Sequence, residues 1–197
     1  MDASAPGFRG LTAHLARVFY TKIIQETNQE HATLALARGK GSEMRFRADF
    51  TKPDHRLVAY GGRKLEIFNP KINTVQEIDL GKHKGLVEQF LLLGFGSSGR
   101  DLRKSYDVKY LREDTVEGQK CSCLELVPKS AQVRDQFQKI ELCIADPGGY
   151  PVRQKLIEPS GNYTLYEYSE VKINPELKPA QLTLQLPANV KREYPQK

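Results

Sequence analysis

At 197 residues the chain is long enough for one domain with a substantial core and short for two. Its 39% hydrophobic and 27% charged residues are ordinary for a folded globular chain and exclude a disordered one. The net charge of +6 is scattered and not gathered into a basic stripe with interleaved aromatics, Arg45-Phe46-Arg47 being the nearest approach. A nucleic-acid partner is therefore not expected, and only a general affinity for anionic surfaces or acidic partners follows.

In chain order, residues 8–25 fit two patterns. Phe8, Leu11, Leu15 and Val18 make a helical stripe, while Leu11, Ala13 and Leu15 alternating with Thr12, His14 and Ala16 make a strand. Glu26 to Glu30 reads as a turn and Leu34-Ala35-Leu36-Ala37-Arg38 as a strand. Further strands are predicted at 43–51, 56–60, 63–69 and 73–80, divided by Lys52-Pro53-Asp54, Gly61-Gly62 and Asn69-Pro70. The period changes at Gly85, where Leu86, Phe90 and Leu93 take helical spacing and Arg100 to Tyr106 can form a second short helix. Strands resume at about 106–112 and 119–127. From Phe137 onward, through Leu182-Thr183-Leu184-Gln185-Leu186, the chain reads as one strand after another, broken at Asp146-Pro147-Gly148-Gly149, Pro159-Ser160-Gly161-Asn162 and Asn174-Pro175. Ile140, Leu142 and Ile144 share one face there, which needs something apolar against it. The expected class is mainly β with one helical insert, in a single domain. No apolar run reaches the roughly 20 residues of a helical bilayer span, and MDASAPGFRG lacks the charged and apolar regions of a secretory leader.

No motif supplies chemistry. Gly94-Phe95-Gly96-Ser97-Ser98-Gly99 matches GxGxxG literally, but only about seven residues follow before the next strand, too few for the crossover helix of a dinucleotide site. It is read as a turn after a short helix, able to serve as a hinge. Gly39-Lys40-Gly41-Ser42 lacks phosphate-loop spacing and is read as a hairpin loop. His14, His31, His55 and His83 are scattered and are expected at the surface. Asn162-Tyr163-Thr164 is formally a glycosylation sequon, placed where a turn wants Asn after Gly. The three cysteines leave an odd thiol. Cys121 and Cys123 share a strand face, so a bridge from either to Cys143 is conceivable, but separate structural thiols is the reading taken. CxC with one distant Cys provides no fourth ligand for a metal. No catalytic residue, cofactor or metal is expected.

Arg38 is the informative residue. It lies in phase with Leu34 and Leu36, so alternation sends a guanidinium to the face of two leucines. Either it snorkels to solvent at the strand end, or it crosses an apolar cavity to donate to backbone carbonyls of whatever covers it.

The chain resembles the outer-membrane lipoprotein carrier family, the LolA-like periplasmic chaperones. The resemblance rests on Leu11-Thr12-Ala13-His14-Leu15-Ala16-Arg17, Leu36-Ala37-Arg38, and Phe46-Arg47-Ala48-Asp49-Phe50 running on to Pro53-Asp54. It continues through Gly62-Arg63-Lys64-Leu65-Glu66-Ile67-Phe68-Asn69-Pro70, Leu126-Val127-Pro128-Lys129 and SGNYTLYEYSEVKIN, in order along nearly the whole chain. It implies an incomplete antiparallel β-barrel of about 10–11 strands covering a short helical lid, with an apolar cavity between them for acyl chains. On that reading Leu34, Leu36, Met44, Phe46, Phe50, Leu65 and Ile67 line the cavity, Phe90, Leu91 and Leu93 cover it, and Arg38 latches the cover. The family usually has proline after that arginine and about four fewer residues before Phe-Arg, whereas Gly39 to Ser42 intervene here, and Ala48 stands where tryptophan is frequent. The alignment leaves about ten residues ahead of the first strand, which implies a truncated amino-terminal lid helix. The partners implied are acylated lipoproteins or lipids, an inner-membrane ABC-type lipoprotein release complex and an outer-membrane acceptor, for a periplasmic monomer that is not an enzyme. The rival readings are a lipoprotein-sensing module resembling half of the periplasmic anti-sigma regulators, and an acyl or glycan hydrolase, for which no nucleophile and base are found.

Overall fold

The computed structural model describes residues 1–39, 43–81, 85 and 93–195. Twelve strands form one sheet: β1 Gly10–Thr21, β2 Glu26–Arg38, β3 Met44–Lys52, β4 Arg56–Gly61, β5 Lys64–Asn69, β6 Thr74–Asp79, β7 Tyr106–Val116, β8 Gln119–Pro128, β9 Lys139–Ala145, β10 Pro151–Ile157, β11 Tyr163–Ile173 and β12 Lys191–Glu193. Two short helices, α1 Gly99–Ser105 and α2 Ala131–Arg134, precede β7 and β9. Among the described residues the strand order is β12-β6-β5-β4-β3-β2-β1-β11-β10-β9-β8-β7, so β12 and β7 are both edges and the ladder does not close on itself. The class is mainly β with a small helical part, as an incomplete barrel requires. The twelfth strand is a three-residue strand laid parallel on β6.

The chain divides into two compact units, one of Met1–Phe8, Leu15–Gln29 and Leu92–Ser169, the other of Arg9–His14, Glu30–Leu91 and Glu170–Lys197. In the second unit β3 shows why these residues make strand: Met44, Phe46, Ala48 and Phe50 are buried and the residues between them are not. The carboxylate of Glu77, on β6, is buried; it takes Lys64 Nζ at 2.8 Å and also accepts from Arg192 of β12. The Lys64 hydrogen bond outweighs desolvation and holds the Glu77 carboxyl below its ordinary range.

In the first unit β9 is buried on both faces from Leu142 onward, Lys139 and Glu141 before it being half-buried. Ile140 and Leu142, both fully buried, and Ile144 face one way; Cys143 and Ala145 face the other, in a cluster with Val116, Cys121, Cys123 and Val152. This is why KIELCIA carries small residues where a half-exposed strand would carry polar ones.

Of the two patterns open for residues 8–25, the strand is the one that forms, as β1 Gly10–Thr21, and two local expectations are corrected. The turn expected at Glu26 to Glu30 lies earlier, at residues 22–25, with Gln25 in the left-handed region at φ 53°, and β2 already begins at Glu26. The alternation of Leu182 to Leu186 forms no strand, the chain there being irregular after a 3-10 turn at Pro179–Gln181, with Leu182 alone of the three leucines buried.

Candidate functional site

The second unit carries an apolar face built by register. Across β2 and β3, Arg38 opposes Met44, Leu36 opposes Phe46, Leu34 opposes Ala48 and Ala32 opposes Phe50. Across β3 and β4, Phe46 opposes Tyr60 and Ala48 opposes Val58; across β4 and β5, Tyr60 opposes Leu65 and Val58 opposes Ile67. Directly opposed residues point to the same face, so Leu34, Leu36, Met44, Phe46, Phe50, Leu65 and Ile67 share one face with Arg38. Met44, Leu36, Phe50 and Phe46 are buried, while Leu34, Leu65, Ile67 and Arg38 are half-buried. Phe46 stacks on Tyr60 with ring centroids 5.7 Å apart. Phe90 and Leu91 lie outside the described residues.

Sequence reasoning missed three members of this face. Tyr60 and Val58 follow from register alone. Arg56 opposes Phe50, places its guanidinium 4.0 Å from that ring's centroid and pairs with Glu30 at 2.8 Å. Arg38 stands at the other end of the same face, with its backbone N–H on the Arg9 carbonyl at 2.7 Å. The apolar stripe therefore runs from one arginine to the other. On the opposite face of β2 and β3 lies a polar groove of about 340 Å³, with His14, Thr33, Arg47, Asp49 and Glu170 in its wall.

In the first unit, Gln154 sits in phase with Leu156 and opposes Leu142, inside an apolar face, at 3% exposure, while a register shift between Pro151 and Arg153 turns Val152 to the cysteine face. Its Nε2 donates to the Leu93 carbonyl at 2.5 Å, and its Oε1 accepts from the Tyr168 hydroxyl at 2.9 Å. Both polar ends of the amide are thereby satisfied, as burial demands. Burial pushes the Tyr168 phenol well above its ordinary range, so it remains a donor. Phe95 packs edge-on against Tyr168 at 5.1 Å and stacks on Phe8 at 6.3 Å. Between them Gly94 has φ +83°, and a Cβ there would lie 2.6 Å from Pro151 Cγ, so only glycine fits. Leu93, expected as a covering residue, is thus buried and held by its carbonyl. The signal for Gln154 was present in the sequence: a polar residue in phase with apolar neighbours, the same anomaly that drew attention to Arg38.

The rest of GxGxxG is accounted for locally. Ser98 caps α1, its Oγ accepting from the Asp101 N–H at 3.1 Å, and the Gly99 N–H donates to Asp2 at 2.6 Å. Those amides serve the protein's own side chains. His14, His31 and His55 are exposed, as expected, but His14 and His55 do face carboxylates, Glu170 at 3.4 Å and Asp49 at 3.1 Å; His83 lies outside the described residues.

The reading of three separate thiols is overturned. Cys123 and Cys143 oppose each other on β8 and β9 and form a disulfide. Cys121 is the free thiol among them, 3% exposed, with Sγ 3.4 Å from the Asp114 carbonyl. Burial, and secondarily the Asp114 charge, push its pKa up.

A sequence model of the family described as outer membrane lipoprotein carrier protein LolA matches residues 20–185. The chain belongs to the LolA family. Among relatives of this LolA-family chain, an outer-membrane lipoprotein carrier protein of Dechloromonas aromatica is 26% identical over 181 residues, covering 91% of the chain and 79% of the relative. Another, from Cupriavidus pinatubonensis, is 33% identical over 133 residues, 68% of the chain and 57% of the relative. The chain is similar in structure to the MucA/MucB complex of Pseudomonas aeruginosa, with a TM-score of 0.54 at 14% identity over 93% of this chain and 58% of that one. That likeness shows the fold alone. The chain thus spans less than two thirds of the Cupriavidus relative and of the Pseudomonas chain.

Proposed function

We propose that this LolA-family protein is a periplasmic carrier that binds the acyl chains of lipoproteins and passes them toward the outer membrane. The observation that carries this reading is the face shared by Leu34, Leu36, Met44, Phe46, Phe50, Leu65 and Ile67, bounded at one end by Arg38. Leu93, with Phe90 and Leu91, would cover the cargo, and Arg38 would latch the cover. Acyl chains need no catalytic group: each buried methylene contributes about 0.8 kcal/mol, and about ten of them match the roughly 8 kcal/mol of micromolar binding. Binding of that kind has no directional trigger, so release falls to a partner, an inner-membrane ABC-type release complex loading the carrier and an outer-membrane acceptor unloading it.

Native mass spectrometry of protein recovered from the periplasm tests this, with a triacylated lipopeptide as competitor. A bound acylated species that the lipopeptide displaces is the expected result; apo protein indifferent to the lipopeptide refutes the carrier. Arg38→Leu is expected to leave folding and acyl binding intact while transfer to an acceptor membrane stops. Unchanged transfer would remove Arg38 from the mechanism.

The likeness to MucB, whose solved structure is a complex with MucA, favours one second reading, a sensing module that reports lipid or lipoprotein to a membrane-bound regulator. Recovery of such a regulator in a pull-down, with no transfer activity, would select it.

A further inference from the structure

The face of β7 to β10 away from Ile140 and Leu142 carries a row that the carrier reading leaves unused: Arg112 opposes Cys123, Cys123 opposes Cys143, and Cys143 opposes Arg153. Cys121 lies one pleat along β8 on the same face. The three sulfurs are all buried and all within 4.8 Å of one another. From these observations we propose that Cys121, Cys123 and Cys143 form a redox-gated site for a soft monovalent cation of the Cu(I) type.

In the disulfide state two of the three sulfurs are bonded to each other and only Cys121 can act as a ligand. A dithiol reductant opens the site: it gives two electrons and two protons to the Cys123–Cys143 bond, leaving two cysteine thiols, and is itself oxidised to a disulfide. Binding one Cu(I) then releases the three thiol protons and leaves a complex of charge −2. Metal–thiolate bonds of about 2.3 Å put sulfurs roughly 4 Å apart, a spacing that three sulfurs already within 4.8 Å reach by small shifts. Three thiolates without an imidazole or a fourth sulfur suit a soft three-coordinate ion better than tetrahedral zinc. The surrounding charge fits an anionic complex: Arg153 and Arg112 reach the site from both sides and share Asp114, at 3.0 and 3.3 Å. Entry has a route as well. An open pocket of about 570 Å³ reaches Cys121, with Glu113, Asp146 and Lys120 in its wall beside the arginine-paired Asp114.

The test is anaerobic titration of the full chain with Cu(I) against a chromophoric chelator, in the disulfide form and after reduction and removal of the dithiol. The reduced protein is expected to take up one equivalent with an ultraviolet thiolate-to-metal band, and the disulfide form none. Cys121→Ala keeps the disulfide and so the fold, and after reduction should bind more than about 100-fold more weakly, since loss of a direct ligand exceeds the 10–100-fold that a supporting group carries. If the reduced apo protein loses strand signal in circular dichroism, Cu(I) is expected to restore it in the parent and not in Cys121→Ala. Equal uptake by the oxidised and reduced proteins, or by the parent and Cys121→Ala, overturns the proposal.

Discussion

Replacing Gln154 with leucine is expected to lower the unfolding free energy by about 2–4 kcal/mol, although the two side chains are close in volume and leucine is the more apolar. The amide satisfies two groups that have been removed from water, the Leu93 carbonyl at 2.5 Å and the Tyr168 hydroxyl at 2.9 Å. Each one orphaned in a buried position costs about 1–3 kcal/mol, and the gain from a more apolar side chain offsets only part of that. A urea titration would show a lower midpoint with an unchanged slope. Tyr168→Phe removes the hydroxyl and leaves only Gln154 Oε1 unmatched, so it should cost less, about 1–2 kcal/mol. In Gln154→Leu/Tyr168→Phe the hydroxyl is no longer orphaned, and the double variant should fall short of the sum of the two singles by about 1 kcal/mol. Strict additivity would mean that the two side chains are not coupled. Amide exchange supplies a local readout: because Gln154 holds the Leu93 carbonyl, Phe95 and Gly96 should exchange faster in Gln154→Leu while the β8 and β9 amides lose only what global stability loses.

The same pair of positions shows how far the sequence could be read. Arg38 and Gln154 each break an apolar alternation, and each is placed by the fold on the face that the alternation predicts. Only Arg38 drew attention, because a charge among leucines is conspicuous and an amide two residues before Leu156 is not. Most strands were legible because one face of each is buried: β3, with Met44, Phe46, Ala48 and Phe50 inward, is the clearest case. Where burial does not follow pairing, the pattern fails in both directions. Glu26 to Asn28 are exposed on both faces, yet they belong to β2, since a ladder needs only backbone partners. Leu182 to Leu186 alternate as a strand should, yet they lie between Pro179 and Pro187, neither of which can donate to a ladder. The pairing of Cys123 with Cys143 needed the register of β8 on β9, which depends on the length and shape of the α2 connection and not on local alternation.

Removing that bridge should be the other large effect. The disulfide joins residues 20 apart in sequence and closes the β8–β9 connection, and the chain-entropy relation for a loop of that size gives about 3 kcal/mol of stabilisation, by restricting the unfolded chain. Cys123→Ala/Cys143→Ala is therefore expected to unfold about 3 kcal/mol more easily than the parent, while Cys121→Ala, which removes one buried sulfur and no crosslink, should cost about 1 kcal/mol. Alanine is preferable to serine at these positions, because a serine hydroxyl in this apolar cluster would add a desolvation cost of its own. Thiol counting separates the bridge from the packing. Native protein should label slowly at its one free thiol, Cys121, which is 3% exposed. Unfolding without reductant should leave that count at one, and reduction should raise it to three. Three reactive thiols on unfolding without reductant would show that no bridge forms, and the double alanine variant should then lose only the packing of two small side chains. A count of one together with a 3 kcal/mol loss would place the crosslink among the larger single contributions to a fold whose total stability is of the order of 5–15 kcal/mol.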